Sequence, residues 1–273
     1  SKIARKEQKR NPSAPFITSS LQQEASRKLG FWAKKTMMTA QTLYEGVEVP
    51  GEGYVGLITY MRTDSFRIAK EALAEAKSFI EKEYGPKYVP LEPRVFKKKK
   101  QAQDAHEAIR PTSVARTPES INDALTPDQF KLYTIIWNRF VASQMASGVL
   151  DMTSVDISAS DYIFRANGSI VKFDGFTVLY IEEKEEKDAA EEEEVTLPEL
   201  SEGDILTRQA LDPEQHFTEP PPRFTEASLV KELEQKGIGR PSTYAPILST
   251  IIDRGYVERD AKAFKPTELG RTI

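Results

Sequence analysis

The spacing of apolar residues changes twice along this chain of 273 residues, and this limits the folds that it can adopt. Residues 21–147 contain long stretches with helical spacing, whereas residues 152–181 are rich in alternating β-branched and aromatic residues. Helical spacing returns after Pro220–Pro222, which predict a stiff linker. This order favours a multidomain α+β protein with an antiparallel β region between helical parts.

Glycine, proline and capping residues set the limits of the predicted helices. Four helices are predicted before the β region, over residues 21–29, 31–44, 68–84 and 127–147. Ser19 or Ser20 is the expected N-cap of the first helix, and Gly30 ends it. Thr126 caps the fourth helix, with Pro127 at its first position.

Strands are predicted from shorter sequence patterns than the helices are. Residues 54–61 predict a buried strand after a turn that contains Pro50, Gly51 and Gly53. Strands are also expected at 1–15, 152–181 and 195–211, and hairpin turns at Asn167–Gly168 and Asp174–Gly175.

Residues 224–273 form a distinct unit. A helix over 227–236, a turn at 237–239 and a helix that starts at Pro241 predict a helix-turn-helix, with residues 256–264 as its small hairpin, or wing. Residues 21–44 repeat the pattern of two short helices around a glycine. Both could also be ordinary helical corners.

Composition narrows the function classes. The absence of cysteine excludes disulfides and cysteine-based zinc sites, and two histidines disfavour a histidine-built metal site. No apolar run is long enough for a membrane span and no secretory signal opens the sequence, so a cytoplasmic protein without membrane contact is expected. The net charge of −4 conceals an acidic run at 182–194, expected to be a solvated loop, and basic stretches at 1–40 and 94–116. The charge pattern therefore permits a phosphate-binding surface.

The segment from Gly56 to Ser65 contains a tyrosine and an arginine in alternate positions, Tyr60 and Arg62. On an extended strand, alternate side chains share a face. A tyrosine hydroxyl is a weak nucleophile near pH 7, and a nearby guanidinium could stabilise its phenolate and hold a phosphate. A half-buried tyrosine beside a surface arginine is the alternative, and residue types alone favour it.

A second cluster, residues 104–112, contains His106, Glu107, Arg110 and Thr112 and follows the four lysines at 97–100. Histidine can bind phosphate or move a proton near neutral pH. The alternative is a helical turn that ends before a proline, with solvated charges.

The third cluster, residues 237–244, places two glycines before a predicted helix N-terminus. Exposed backbone N–H groups at a helix N-terminus favour the binding of phosphate. The side chains of Arg240, Ser242 and Thr243 add further hydrogen-bond donors at this place. A well-capped helix start is the alternative, although it leaves the paired glycines and Arg240 unexplained. The sequence has no Walker A or dinucleotide-binding pattern, so nucleotide hydrolysis is not supported.

In order, these stretches resemble bacterial DNA topoisomerase I, a type IA enzyme. The resemblance rests on the segments 12–16, 20–26, 58–65, 106–112 and 237–244 and so covers nearly the whole chain. Met61 favours topoisomerase I over the topoisomerase III relatives, which have proline at this place.

The resemblance implies a role for each candidate residue. Tyr60 would form a 5′-phosphotyrosyl bond with single-stranded DNA, Arg62 would hold the scissile phosphate, and His106 would contact a phosphate close by. The residues implied to support the site or to bind the strand are Arg110, Thr112, Arg240, Ser242 and Thr243.

The resemblance also implies domains. Residues 1–19 and 148–219 would form two segments of an antiparallel β arch. Residues 20–147 would form a helical domain with the tyrosine, and residues 220–273 part of a helix-turn-helix DNA-groove domain. The helical domains would be of CAP-like or winged-helix type. A monomer near the nucleoid is expected.

The family's magnesium ion is bound by an acidic Toprim domain with an Asp-x-Asp-x-Asp motif, and these residues contain no such motif. A central fragment without bound cofactor is therefore expected, one that alone binds single-stranded DNA weakly and does not relax supercoils.

Two other functions stay open. One is a non-catalytic, winged-helix-type DNA-binding module, and the other is the topoisomerase module of a reverse gyrase. If Tyr60 were not the nucleophile, Tyr44 and Tyr244 would be the next candidates.

Overall fold

The computed structural model describes residues 1–96, 106–181 and 196–273. The lysines at 97–100 and the acidic run at 182–194 lie outside these residues. The chain forms two compact units, the first from 1–11, 147–178 and the described part of 184–222, the second from 12–146, the described part of 179–183, and 223–273. No helix among the described residues is both long and apolar enough to cross a membrane. The domain limits implied by the resemblance stay predictions.

Helices and strands follow one another in a mixed order. The α-helices of the described residues are α1 (Thr18–Leu29), α2 (Ala33–Glu45), α3 (Lys70–Glu83), α4 (Pro127–Ser143), α5 (Glu226–Gln235), α6 (Tyr244–Asp253) and α7 (Glu268–Thr272). The strands are β1 (Lys2–Arg10), β2 (Val47–Val49), β3 (Gly53–Val55), β4 (Gly148–Ala159), β5 (Tyr162–Phe173), β6 (Val257–Asp260) and β7 (Ala263–Pro266). The predicted mixture of helices with antiparallel sheets is confirmed.

The first unit contains an antiparallel sheet in the order β1-β4-β5. The hairpin turn between β4 and β5 lies at Ser160–Asp161, where Ser160 has a φ of 53°. The predicted turn at Asn167–Gly168 is wrong, because these residues pair with Ser154 and Thr153 inside the ladder. Regular pairing of β4 with β5 from Leu150 to Ala159 overrides the local turn preference.

Two further strand predictions in this unit are wrong. Asp174–Gly175 does not form a hairpin turn, because β5 ends there and a 3₁₀ turn, Gly175–Val178, follows. Residues 196–211 contain no strand and are largely exposed, with Ile205 96 % exposed. They contact β1 only through scattered hydrogen bonds, such as that from Arg5 to the Leu200 carbonyl at 3.3 Å. A ladder without a buried face gains little stability.

The core of the second unit lies where α1, α2 and α4 pack together, with Leu21, Leu43 and Phe140 almost fully buried. The capping of α4 by Thr126 and the end of α1 at Gly30, with φ of 63°, are confirmed. The N-cap predicted at Ser19 or Ser20 is wrong. Helix α1 begins at Thr18, because tertiary hydrogen bonds of Thr18 fix its first turn.

Residues 54–61 are not one strand. The turn at Pro50–Gly53 closes the short hairpin β2–β3, and the chain then continues as a loop with a single bridge between Ile58 and Pro111. Its hydrogen-bond partners come from residues distant in sequence, so no regular ladder forms. The argument that Tyr60 and Arg62 share a strand face therefore fails.

Residues 223–273 pack on the same core, with α5 against α1 and α6 against α2. The hairpin β6–β7 confirms the predicted wing. The second helix begins at Tyr244 rather than Pro241, because residues 241–243 form a turn held by the Thr243 hydroxyl.

A buried carboxylate connects this part to α2. Glu226 Oε2 accepts the Ala33 N–H at 2.7 Å, and Oε1 accepts Arg259 at 2.8 Å, while the Arg259 guanidinium stacks on Trp32. Burial raises the pKa of Glu226 above the ordinary 4.5, and the Ala33 N–H and Arg259 offset this only in part.

This raised pKa predicts a pH-dependent stability. Between pH 4.5 and the raised value, the folded chain binds more protons at Glu226 than the unfolded chain does, so the free energy of unfolding falls as pH rises. We expect the melting temperature of the native protein, relative to Glu226→Gln, to fall from pH 4 to pH 7. Glu232→Gln, at a more exposed site of α5, is the matched control. A constant difference across this range would contradict the prediction.

Candidate functional site

The loop that carries Tyr60 is fixed to the segment 106–112 on one side. The Thr59 N–H donates to the Arg110 carbonyl at 3.0 Å, and the Thr59 hydroxyl donates to the Ala108 carbonyl at 2.6 Å. The Arg110 N–H in turn donates to the Thr59 hydroxyl at 3.0 Å. These bonds bring the first two sequence clusters together, as the chemistry proposed from them requires.

The other side of the loop is fixed to the start of α1. The Thr18 hydroxyl donates to the Met61 carbonyl at 2.7 Å and accepts the Thr63 N–H at 2.8 Å, and the Thr18 N–H donates to the Thr63 carbonyl. Thr18, Met61 and Thr63 are almost fully buried. The backbone on both sides of Tyr60 is therefore held by hydrogen bonds in a water-poor environment.

The half-buried Tyr60 ring lies between two other rings. Its centroid is 5.4 Å from that of Tyr44, in an edge-to-face arrangement at 66°, and 5.6 Å from that of His106. Among the described residues, no group makes a hydrogen bond with the Tyr60 hydroxyl.

Arg62 belongs to the same loop, and most of its guanidinium donors have no partner among the described residues. Its Nη1 donates to the Gln41 Oε1 on α2 at 3.4 Å, and it forms no ion pair within the described part of the chain. A half-buried guanidinium with spare donors is suited to bind a phosphate.

Two predicted DNA-binding residues of the segment 106–112 instead make internal contacts. Arg110 forms an ion pair with Glu107 at 2.8 Å and donates to the Pro111 carbonyl. The Thr112 hydroxyl donates to the Gly56 carbonyl at 2.8 Å. These bonds hold the backbone that positions His106, and direct DNA contacts by Arg110 and Thr112 stay a prediction.

The third cluster is exposed, and its backbone is held by its own side chains. Arg240 Nη1 donates to the Gly239 carbonyl at 2.7 Å, and the Arg240 N–H donates to the Thr243 hydroxyl at 2.7 Å. Gly237 and Gly239 have φ of 69° and 81°, which explains the paired glycines that a helix start alone left unexplained. Ser242 and Thr243 are exposed to solvent.

Tyr244 connects this cluster electrostatically to the loop of Tyr60. Burial raises the pKa of Tyr244, and the negative charges of Glu234 and Asp64 raise it further. Asp64 belongs to the loop that follows Tyr60, and the Ser19 hydroxyl at the start of α1 donates to Glu234 at 2.7 Å.

Sequence reasoning gave Gln41 no role and named Tyr44 only as an alternative nucleophile. Both residues lie on the last turns of α2, where Gln41 contacts Arg62 and Tyr44 contacts Tyr60. Their side chains reach the site because the hairpin β2–β3 returns the chain to the end of the helix, where the Leu57 N–H donates to the Leu43 carbonyl at 2.8 Å. Recognising this hairpin would have revealed the contact.

The magnesium ion implied by the resemblance does not fit the described residues. They contain no group of three or more histidine, cysteine, aspartate or glutamate side chains that could hold a metal. We therefore derive no step through a metal at these residues.

The chain is similar to known proteins in sequence and in structure. A family model described as DNA topoisomerase matches residues 1–273. The chain is also similar to full-length topoisomerase I from Thermotoga maritima, with 39 % sequence identity and a TM-score of 0.82. The match covers 98 % of this chain and 42 % of that protein, so the chain spans less than half the length of its solved relative. On this basis the chain belongs to the DNA topoisomerase family, within its type IA branch.

Proposed function

We propose that this chain supplies the nucleophile of a type IA DNA topoisomerase, and that Tyr60 is this nucleophile. The observation that carries the proposal is the Tyr60 hydroxyl, which has no hydrogen-bond partner among the described residues, while its ring lies between Tyr44 and His106. A regulator that only bound DNA would gain nothing from a phenol held in this way beside an arginine.

The proposed reaction is a reversible transesterification on single-stranded DNA. The Tyr60 oxygen bonds to the phosphorus while the bond from phosphorus to the 3′-oxygen breaks. The phenol releases its proton to a base or to water, and the 3′-oxygen takes one up. One phosphate ester replaces another, so resealing needs no ATP, and a phenolate leaves more readily than an alkoxide. Cleavage, passage of a strand and resealing would relax negative supercoils.

Arg62 and His106 would bind the phosphate in this reaction. Charge develops on the phosphate oxygens in the transition state, and donors placed beforehand stabilise it. Arg62 has spare guanidinium donors next to Tyr60, and the imidazole of His106 lies against the Tyr60 ring.

Strand binding would extend to the third cluster. Arg240, Ser242 and Thr243 are exposed on a turn before α6 and offer donors to a DNA backbone. The sheet β1-β4-β5 would belong to the arch through which a strand passes. Magnesium would be bound by the carboxylates of a Toprim domain acting with this chain, and the complete enzyme is the appropriate protein for activity assays.

Mapping the covalent adduct tests the proposal. The complete enzyme is incubated with single-stranded oligonucleotides that carry a label at either end and is then denatured. A 5′-phosphotyrosyl link leaves the 3′-end label on the protein and releases the 5′-end label. Trypsin cuts after Lys35 and Arg62, so one peptide contains Tyr44, Tyr54 and Tyr60, and fragmentation identifies the modified residue. Modification of Tyr44, Tyr54 or any tyrosine other than Tyr60 would refute the assignment.

A non-catalytic winged-helix-type DNA-binding module is the second candidate, favoured by the unit of α5, α6 and the hairpin β6–β7. The same experiment separates the two functions. A binding module retains the oligonucleotide before denaturation and carries no label afterwards.

A further inference from the structure

We propose that Tyr44 is a positioning residue for the reaction of Tyr60, and that its ring holds the nucleophile in the orientation for attack. This inference rests on the proposed function and assigns a role to a residue of α2 that no motif identified.

The orientation of the Tyr60 side chain depends on packing alone. Its hydroxyl makes no hydrogen bond with any of the described residues, so no polar contact fixes the direction of the phenol. Two rings pack against the phenol: that of Tyr44, whose centroid lies at 5.4 Å, and that of His106, whose centroid lies at 5.6 Å. Because His106 is also proposed to bind phosphate, Tyr44 is the contact with no other proposed task.

The place of Tyr44 is fixed by backbone contacts. It lies in the last turn of α2, where the Leu57 N–H donates to the Leu43 carbonyl at 2.8 Å. A Cβ atom at Gly56 would lie 2.8 Å from the Tyr44 carbonyl oxygen, closer than such atoms pack, so this approach requires glycine. The chain then reaches Tyr60 four residues later, and the spacing between the two rings follows from this junction.

Removal of the Tyr44 ring would let the Tyr60 phenol sample other rotamers. Nucleophiles react fastest when they are held near the attack geometry. If the energy of the edge-to-face aromatic pair is lost from this alignment, the rate of cleavage should fall by about three- to tenfold. Tyr44 itself is 40 % exposed. Removal of its ring should therefore lower the free energy of unfolding by less than it raises the activation free energy of cleavage.

Single-turnover cleavage at saturating single-stranded oligonucleotide tests this role. In the complete enzyme with magnesium, Tyr44→Ala and Tyr44→Leu should form the adduct about three- to tenfold more slowly, with the dissociation constant for the oligonucleotide unchanged. Tyr44→Phe keeps the ring edge and should restore the rate to within about twofold of the native value. Tyr54→Ala removes a more exposed phenol of the adjoining hairpin and serves as the matched control.

Three results would overturn the inference: a native rate in both Tyr44→Ala and Tyr44→Leu, an equal loss in Tyr44→Phe, or a loss that appears only as weaker binding. Thermal unfolding of each variant separates misfolding from a slower reaction, and the leucine variant retains bulk if alanine is too disruptive. Failure of the proposed function is recognised separately, because Tyr60→Phe would then still form the adduct.

Discussion

Replacement of Tyr60 with phenylalanine should abolish the covalent DNA adduct in the complete enzyme and leave the affinity for single-stranded DNA within about twofold of the native value. The substitution removes one oxygen atom, which is the proposed attacking atom. The hydroxyl makes no hydrogen bond with the described residues, so folding should be unaffected. The ring contacts with Tyr44 and His106 need only the phenyl group. Adduct formation is measured by transfer of a 3′-end label to the denatured protein, and affinity by fluorescence anisotropy.

Tyr54→Phe provides the matched control, because it removes a hydroxyl from an exposed tyrosine of β3, six residues before the proposed nucleophile. This variant should form the adduct at the native rate. An adduct that persists in Tyr60→Phe would show that another residue attacks the phosphate, and loss of DNA binding together with the adduct would show that the hydroxyl serves recognition.

Replacement of Arg62 with alanine should lower the rate of adduct formation by a factor on the order of 10² to 10³ at saturating oligonucleotide. The half-buried guanidinium has donors left for a phosphate after its single bond to Gln41, and no described carboxylate pairs with it. Such donors act most strongly where charge develops in the transition state. Single-turnover cleavage by rapid quench measures the rate.

Arg62→Lys should recover only part of this loss, because an ammonium keeps the charge and loses the paired donors of the guanidinium. Arg165→Ala is the control, because it removes a surface arginine on the sheet of the other unit that already pairs with Asp156. This variant should form the adduct at the native rate. A change in the dissociation constant with an unchanged rate at saturation would assign Arg62 to ground-state binding and contradict the proposed role.

Local signals in the sequence predicted the helices well. Gly30 in the left-handed conformation, and Thr126 with Pro127 at the start of α4, act through the adjacent backbone, so their effect is readable from neighbouring residues. The wing β6–β7 and the turn after Pro50 were found for the same reason. The predicted strand at 196–211 failed because a strand needs a partner and a buried face, neither of which the segment itself specifies.

The candidate site also combines local features that the sequence reveals with contacts between distant residues that it does not reveal. The residue types around Tyr60 alone favoured an ordinary half-buried tyrosine, and only the resemblance of the ordered motifs predicted a nucleophile. The structure places His106 against the Tyr60 ring. The local geometry was wrong, because the loop is shaped by hydrogen bonds to Thr18 and Arg110, which lie far away in the sequence. The contact of Gln41 with Arg62 and that of Tyr44 with Tyr60 were not predicted, because both depend on the path of a hairpin.

The pairing of β1 with β4 has a consequence for the synthesis of the protein. Lys2 lies opposite Asp156 and Arg10 opposite Gly148, so β1 cannot complete its pairing with β4 until the ribosome has made α1 to α4 and the whole of β4. Helices α1 and α2 can form from local contacts during this time, whereas the sheet must close a very long loop. The basic residues of β1, including Lys6 and Lys9, disfavour pairing of this strand with other chains before β4 has been made. The order of folding is thus expected to run from the helices of the second unit to the sheet of the first.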